Sequence, residues 1–369
     1  MRTLRLYLLK SVLPAFSLVF CVLLAVNCRS TVDGIGMLSG DYTSPEIESF
    51  CVNDSLSSTI EFSKPVTLDS LFLFTGAAKG SGSGTPASSS ASSSVERHTI
   101  EFSDRTVIGE SYVLEGRASD EKGNSLTFSI PFTGYNASPA VLCLSEVRNA
   151  YATATVKGVK THRCEFVELY VLEGGNLSGM ELYSAGDGNE RKYTFPAIDV
   201  NKGEYITVHP RRGTTADVVE EGMVSETGDD LTLSVHMDSC DTARDLWSEN
   251  LKSCYSDSDI IVLKGSSGAV MDALVFAKST LTEWKEEYAK TVSAVEESGV
   301  WLDSEGNKNC SLASAFCSDY ITTTAATRSM ARQNLESVDP QNICSSKKDW
   351  MVVSETTPGT KNSSKEYVK

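Results

Sequence analysis

The chain has 369 residues, of which 40% are hydrophobic and 22% charged, and this composition is that of a globular protein. Acidic residues outnumber basic ones by 49 to 33, and the resulting formal net charge of −16 argues against nucleic-acid binding, because phosphate contacts need a basic face. At roughly 100–200 residues per domain, the length predicts two domains with additional terminal segments.

The N-terminal residues have the pattern of an export signal. Three basic residues among the first ten precede the uncharged run Ser11–Val26, which is too short for the about 20 apolar residues of a membrane-spanning helix. Cys28 comes directly after this run. The pattern resembles a bacterial lipoprotein signal of the relaxed spirochaete type, which implies removal of residues 1–27, a lipid on Cys28 and a tether over 28–43. The alternative is ordinary cleavage nearby, with Cys28 left as a free thiol.

Eight further cysteines follow the signal. An even number in an exported chain indicates disulfides, although spacing alone does not fix the pairs. The predicted disulfides join Cys240 with Cys254, Cys310 with Cys317, Cys51 with Cys143, and Cys164 with Cys344. The sequence has no Cys-x2-Cys motif and its four histidines are scattered, so neither a metal site nor any cofactor is predicted.

Residues 44–141 are predicted to form the first domain, a β-sandwich of short strands separated by turns such as 120–124. The Lys64-Pro65 pair is expected to end one strand. The Ser-rich stretch 79–95 is expected to be a flexible loop inserted between two strands. The predicted strands are Ser58–Ser63, Val66–Phe74, His98–Ser103, Tyr112–Arg117 and Leu126–Phe132. The segments STIEFSKPV and YVLEGRASDEKGNSL resemble bacterial Ig-like domains, which implies an Ig-like sandwich.

Residues 142–362 are predicted to form the second domain, before a tail over 363–369. Asp259–Lys264 and Val270–Phe276 form a β-hairpin pattern. The segments that follow one another along this domain include SEVRN, EFVELY, LSGM, YTFP, GEYITV, DIIVL, SMAR and TPGTKN. In this order they resemble the lamin-tail domain, an Ig-type β-sandwich found on many bacterial exported proteins. The predicted fold is therefore all-β, with two Ig-like β-sandwich domains.

The second domain carries a helical insertion over residues 279–326. Thr280 and Glu283 have the spacing of a capping box, and Gly299 is placed to end the helix. Apolar residues recur between them at helical spacing, at Leu281, Trp284, Tyr288, Val292 and Val295. This stripe either packs against the sandwich, the favoured alternative, or docks a partner.

Few residues indicate chemistry. Phosphate-binding loops, zinc-protease motifs and nucleophile elbows are absent from the sequence. Arg244 and Trp247, inside the predicted loop between Cys240 and Cys254, are candidate recognition residues if Trp247 is exposed; if it is buried, it fills the sandwich. The acidic stretch 212–230 is expected to be a solvated loop, with cation or partner binding as the alternative.

These patterns together predict a non-enzymatic, exported and lipid-anchored protein of the cell envelope, on the outer membrane or the periplasmic face. Its sandwich loops are expected to bind an unknown protein or envelope ligand or to act as a scaffold. The step from sandwich to binding is an analogy. The alternatives are an envelope-associated hydrolase with a carboxylate or metal site, and a purely structural envelope protein.

Overall fold

The structure, a computed structural model, describes residues 42–76, 84–91, 93–156, 159–187, 191–212, 222–325 and 327–369. The predicted signal, Cys28 and nearly all of the tether lie outside these ranges. Within the described ranges almost every regular element is a β-strand, which confirms the all-β prediction. No helix in this part of the chain is long and apolar enough to cross a membrane.

The first six strands form one sheet with the order β3-β4-β2-β5-β6, in which β1 also pairs with β2. Their bounds are β1 Ile47–Asp54, β2 Ser57–Thr75, β3 Thr85–Ser89, β4 Val95–Phe102, β5 Ser111–Ser119 and β6 Ser125–Thr133. All pairs are antiparallel. Most paired strands are close in sequence, so short turns suffice to connect them.

The long strand β2 contributes to both layers of this domain. Its first half pairs with β1 and β4, and its second half pairs with β5. The prediction that Lys64 and Pro65 end a strand is therefore wrong. They lie where the register with β4 breaks, between Glu61 and Val66. Proline has no N–H for the ladder, so it marks a bend inside the strand rather than its end.

Aromatic and aliphatic side chains fill the space between the two halves of this sheet. Phe62 on β2 meets Phe128 on β6 with 6.0 Å between ring centroids. Phe132 on β6 contacts Phe102 on β4 at 5.8 Å. These contacts join strands from the two halves of the sheet, as expected for a folded-over sandwich.

The prediction of a flexible loop over 79–95 is wrong for its described central part. Thr85–Ser89 is strand β3, which pairs with both β2 and β4. Small polar residues can form such a strand because pairing requires only backbone groups. In addition, the Ser89 hydroxyl lies 3.0 Å from Nδ1 of the buried His98.

Two sheets form the second part of the chain. The six-stranded sheet has the order β16-β15-β10-β7-β21-β23, and the five-stranded sheet has the order β13-β12-β17-β18-β20. The strands of the first are β7 Val141–Arg148, β10 Phe166–Glu173, β15 Tyr205–His209, β16 Arg244–Trp247, β21 Ser329–Arg332 and β23 Trp350–Val353. Those of the second are β12 Glu181–Ser184, β13 Tyr193–Thr194, β17 Asp259–Lys264, β18 Val270–Ala277 and β20 Phe316–Cys317.

The main hydrophobic core lies between these two sheets. Val147, Val167 and Val208 contribute from the six-stranded sheet, and Ile261 and Leu274 from the five-stranded one. The predicted hairpin of Asp259–Lys264 and Val270–Phe276 is confirmed as β17 and β18. The remaining strands form two-stranded pairs: β8 Ala152–Val156 with β9 Val159–Arg163, β11 Gly175–Asn176 with β14 Asp199–Val200, and β19 Trp301–Leu302 with β22 Ser345–Ser346.

The insertion contains helix α1, Ala289–Ser298, which is shorter than predicted and follows a 3₁₀ helix, Glu286–Tyr288. Gly299 ends α1 in the left-handed conformation with φ +78°, as predicted. Thr280 does not begin the helix, because it lies inside a turn in which the Leu281 N–H donates to the Lys278 carbonyl at 3.0 Å. Further 3₁₀ helices are Ala185–Asp187, Leu335–Ser337 and Lys347–Asp349.

The apolar stripe of the insertion packs inward. Tyr288 and Val295 are buried in the main core, while Trp284 and Val292 contact it from its edge. The Trp284 indole also donates a hydrogen bond to the Cys310 carbonyl at 2.9 Å. The packing interpretation is therefore confirmed over partner docking.

Two phenylalanines on β2 provide a matched test of the first core. Phe62 is 1% exposed and Phe72 is 42% exposed. We expect Phe62→Ala to lower the free energy of unfolding of this domain by about 3–5 kcal/mol, because it leaves a cavity opposite Phe128. Phe72→Ala is expected to change it by less than about 1 kcal/mol. Hydrogen exchange of β2 and β5 amides measures both values, and equal effects would contradict the described core.

Candidate functional site

A row of four buried side chains, three of them carboxylates, crosses the outer face of the six-stranded sheet. Glu146 on β7 lies opposite Glu168 on β10, which lies opposite Thr207 on β15, which in turn lies opposite Asp245 on β16. Side chains alternate along each strand, so these residues point away from the core that their neighbours enter. All four are nevertheless buried, because two segments of the chain cover this face.

Glu146 and Glu168 are two neighbouring carboxyl groups removed from water. Burial raises the pKa of Glu146 from its ordinary 4.5 to about 7. Burial, followed by the charge of Glu146, raises the pKa of Glu168 well above its usual range. Two adjacent buried carboxyls cannot both ionise at low cost, so the pair favours holding a proton.

The first covering segment is Thr357–Asn362, here called the C-terminal strap. The Thr357 N–H and hydroxyl donate to Glu146 Oε2 at 3.1 and 2.9 Å. The Gly359 N–H donates to Glu168 Oε2 at 2.6 Å. Gly359 has a φ of +79°, and a Cβ at this position would lie 2.5 Å from Cys240 Cβ. Only glycine therefore allows the strap to approach the carboxylates this closely.

Two hydroxyls complete the hydrogen bonding of the pair, and an amide of the strap bonds the backbone beside it. Ser145 donates to Glu168 Oε1 at 2.6 Å, and Ser329 donates to Glu146. The Asn362 side chain donates to the carbonyls of Ser145 and Arg332 at 3.1 and 2.8 Å. These residues come from the SEVRN, SMAR and TPGTKN segments, so the structure brings together the residues that carry the lamin-tail resemblance.

The second covering segment runs over residues 222–243 and lies over the other end of the row. Asp245 Oδ1 lies 3.1 Å from His209 Nε2, and Asp245 Oδ2 accepts from the Cys240 N–H at 3.1 Å. Glu226 Oε2 accepts from the Asp245 N–H at 2.8 Å. The His209 ring stacks on Trp247 with 3.7 Å between centroids. This end of the row is therefore closed by ring stacking and hydrogen bonds within the chain.

The predicted recognition residues Arg244 and Trp247 are buried, at 8% and 2% exposure, so a recognition tip at this position is wrong. They belong to strand β16, which pairs in parallel with β15, rather than to an open loop. The Trp247 indole donates to Ser234 Oγ at 3.0 Å. The Arg244 guanidinium donates to the Gly228 carbonyl at 2.7 Å and to that of Glu226. Both side chains fix the second covering segment to the sheet.

A buried ion pair links the two sheets on the core side. Arg332 on β21 donates to Asp272 on β18 at 2.9 Å. The same carboxylate accepts from the backbone N–H groups of Leu144, on β7, and of Ala273. Each buried charge thus has a partner and further hydrogen bonds, which is the condition under which burial of an ion pair is tolerated.

The eight cysteines from Cys51 to Cys344, all within the described part, are free thiols, so the predicted disulfides are not formed in the structure. Two of the predicted pairs combine an exposed thiol with a buried one. Cys51 is exposed on β1, whereas Cys143 is buried on β7. Cys310 is likewise buried and Cys317 exposed. Burial raises the pKa of Cys143, Cys254 and Cys310 to about 12, so these thiols are poor nucleophiles.

The carboxylate pair is enclosed by hydrogen bonds from its own chain. Oxygens of Glu146 and Glu168 accept hydrogen bonds from the chain itself. The described residues contain no group of three or more His, Cys, Asp or Glu side chains placed to bind a metal ion. Of the acidic stretch 212–230, residues 213–221 lie outside the described ranges; Glu226 is buried, whereas Asp229 and Asp230 are exposed. Sequence reasoning missed His209, Asp245 and Asp272, for which alternation along their strands is the only signal.

Comparison with known proteins concerns mainly the second part of the chain. A family model described as "TP_1001_2nd: protein second domain" matches residues 140–352. An uncharacterized protein of Treponema pallidum (strain Nichols) is 33% identical over 213 residues, which cover 55% of this chain and 50% of that protein. The chain thus spans about half the length of the relative that it matches.

Solved structures give weaker matches. A DUF4876 family protein from Bacteroides thetaiotaomicron VPI-5482 is 11% identical, with a TM-score of 0.27 over 78% of this chain and 87% of that one. The N-terminal part of the bacterial S-layer protein SbsC is 19% identical, with a TM-score of 0.22 over 45% of this chain and 40% of that one. At these TM-scores neither match supports a conclusion about this chain.

Glu146→Gln tests the protonation of the carboxylate pair. Because the folded-state pKa of Glu146 lies above its ordinary 4.5, at about 7, its contribution to stability is present below pH 4.5 and is lost as the pH rises through 7. We therefore expect the free energy of unfolding of the wild type to fall more steeply over this range than that of Glu146→Gln. Urea denaturation at several pH values measures both slopes.

Glu173→Gln is the matched control, because Glu173 is an exposed residue on the same strand as Glu168. It should keep the slope of the wild type. If burial does not shift the pKa of Glu146 and both carboxyls are ionised, Glu146→Gln should show the same slope as the wild type. That result would contradict the protonated pair.

Thiol labelling tests the state of the cysteines. We expect Cys51 and Cys317 to react with a maleimide in the native protein, and Cys143, Cys164, Cys254 and Cys310 to react only after unfolding, since the latter are buried. Mass spectrometry of the labelled peptides assigns each site. If the predicted disulfides form in the purified protein, these six thiols stay unlabelled even after unfolding without reductant.

Proposed function

We propose that this chain, which belongs to the TP_1001_2nd family through residues 140–352, is an exported protein of the cell envelope. A lipid on Cys28 holds it on a membrane, at the outer membrane or the periplasmic face. Its β-domains act as a non-enzymatic binding or scaffolding module through their loops.

The observation that carries the non-enzymatic part is the state of the buried carboxylates. Glu146, Glu168 and Asp245 accept hydrogen bonds from backbone and hydroxyl groups of their own chain. General acid–base chemistry needs a carboxyl that can reach a substrate proton. Here the strap and the second covering segment occupy that space, which favours a stabilising role for all three residues.

The sequence pattern supports export and anchoring. The basic N-terminus, the uncharged run and Cys28 follow one another as in a lipoprotein signal. Two acyl chains on one cysteine are enough to hold a protein on a membrane without a spanning helix. A tether over 28–43 reaches at most about 55 Å when extended, so the folded domains remain near the membrane surface.

Palmitate labelling tests this proposal. We expect cells that express the full chain to incorporate labelled palmitate into it, and Cys28→Ala to abolish incorporation and release the protein from the membrane fraction. Cys51→Ala is the matched control, because Cys51 is an exposed thiol in the folded domain. It should leave labelling and membrane retention unchanged.

Equal labelling of the wild type and Cys28→Ala would contradict the anchor. Once Cys28-dependent labelling is established, proteinase digestion of intact cells determines on which side of the envelope the domains lie. Degradation of the domains places them on the cell surface, whereas protection that is lost on permeabilisation places them in the periplasm.

A further inference from the structure

In one part of the second covering segment the polar side chains face inward and the apolar side chains face outward. Over residues 233–238 the polar residues Ser234, His236 and Asp238 are buried. The alternating apolar residues are exposed: Leu233 at 44%, Val235 at 72% and Met237 at 37%. Val224, nine residues before Leu233, is also exposed, at 40%. We call Val224, Leu233, Val235 and Met237 the apolar ridge. They are four of the nine exposed large hydrophobic residues in the described part of the chain.

The hydrogen bonds and ring contacts of the buried polar residues explain why they face inward. The Ser234 N–H donates to Glu226 Oε1 at 3.0 Å, and Ser234 Oγ accepts from the Trp247 indole. The His236 ring meets Trp247 edge to face, with 5.1 Å between centroids. Asp238 pairs with Arg163 and accepts from the Cys164 N–H at 3.2 Å. These contacts hold the three polar side chains inward, and the apolar side chains between them face outward.

The backbone also holds the ridge in place. Val235 donates to the Gly222 carbonyl at 2.9 Å. Gly222 has a φ of +88°, and a Cβ there would lie 2.3 Å from Val235 Cγ2. A surface fixed in this way loses little conformational entropy when it binds, which favours recognition. Exposed apolar side chains held together in one segment are typical of an interaction site.

The charge around the ridge limits what can bind it. Residues 222–243 contain five acidic side chains and neither Lys nor Arg. Three of the acidic residues, Asp229, Asp230 and Asp241, are exposed. A second copy of this chain, with its formal net charge of −16, and an anionic membrane surface are both repelled by such a rim. An apolar polypeptide segment flanked by Lys or Arg complements it.

We infer that the apolar ridge is the docking surface for a basic protein partner, whose apolar side chains contact Val235 and Met237 while its cations face Asp229 and Asp230. This inference deepens the binding role proposed above and does not depend on the lipid. Charge complementarity at the rim sets the association rate and the specificity, and the apolar contact supplies most of the affinity.

Fluorescence anisotropy with defined peptides tests the inference on the full chain in mild detergent. The probe is a labelled eight-residue peptide that alternates Lys and Leu; the comparison peptides alternate Glu with Leu and Lys with Ser. We expect the Lys-Leu peptide to bind, and to bind at least about tenfold more weakly to Val235→Ser/Met237→Ser. Asp229→Asn/Asp230→Asn should weaken binding and reduce its dependence on salt.

Val107→Ser is the matched control, because Val107 is also an exposed valine, at 55%, and lies in the first domain, away from the ridge in sequence. It should bind the Lys-Leu peptide as the wild type does. Equal binding by the ridge variant, or equal binding of the Glu-Leu peptide, would overturn the inference. Self-association of the protein in ultracentrifugation would also overturn it, if Val235→Ser abolished that self-association. The same holds for flotation of Cys28→Ala with phosphatidylglycerol vesicles, if adding Val235→Ser abolished the flotation. Palmitate labelling is independent of these outcomes, so failure of the anchor and failure of the ridge are distinguishable.

Discussion

The removal of Glu146 and Glu168 from water governs how the second domain is built. A buried carboxyl without hydrogen-bond partners costs several kcal/mol, so the fold must supply donors wherever it covers one. The C-terminal strap supplies them from the backbone at Thr357 and Gly359. Sheet and strap thus depend on each other: without the strap the carboxyls lose three of their donors, and without the carboxyls the strap loses these three hydrogen bonds to the sheet.

The same sheet carries polar links on both faces, and each joins segments that are distant along the chain. On the core side Arg332 and Asp272 hold the two sheets together. On the outer face the strap and the second covering segment add a further layer. Buried polar links of this kind add little net stability compared with apolar packing, but they fix which segments meet. The two covering segments account for burial of the outer face at the carboxylate row, although a mostly antiparallel sheet often leaves one face in water.

Sequence reasoning predicted the elements that depend on local pattern. The hairpin at Asp259, the end of α1 at Gly299 and most strands of the first domain follow from alternation and turn residues. It failed where the pairing between distant strands determines the structure of a segment. The segment containing Trp247 reads as a loop between two cysteines, yet pairing with β15 makes it a buried strand. Pro65 reads as a strand end, yet β2 continues because it changes partners there. The carboxylate row required the register of four strands, which one sequence does not contain.

The strap also determines when the second domain can finish folding. Glu146 and its donor Thr357 are 211 residues apart, and Glu168 and Gly359 are 191 apart. Such distant contacts form late, because loop closure must precede any gain from them. The first domain pairs neighbouring strands and can fold as soon as Thr133 has left the ribosome. The second has to wait until the strap residues Thr357–Asn362 have been synthesised, and until then it exposes an incomplete sheet that is prone to aggregation.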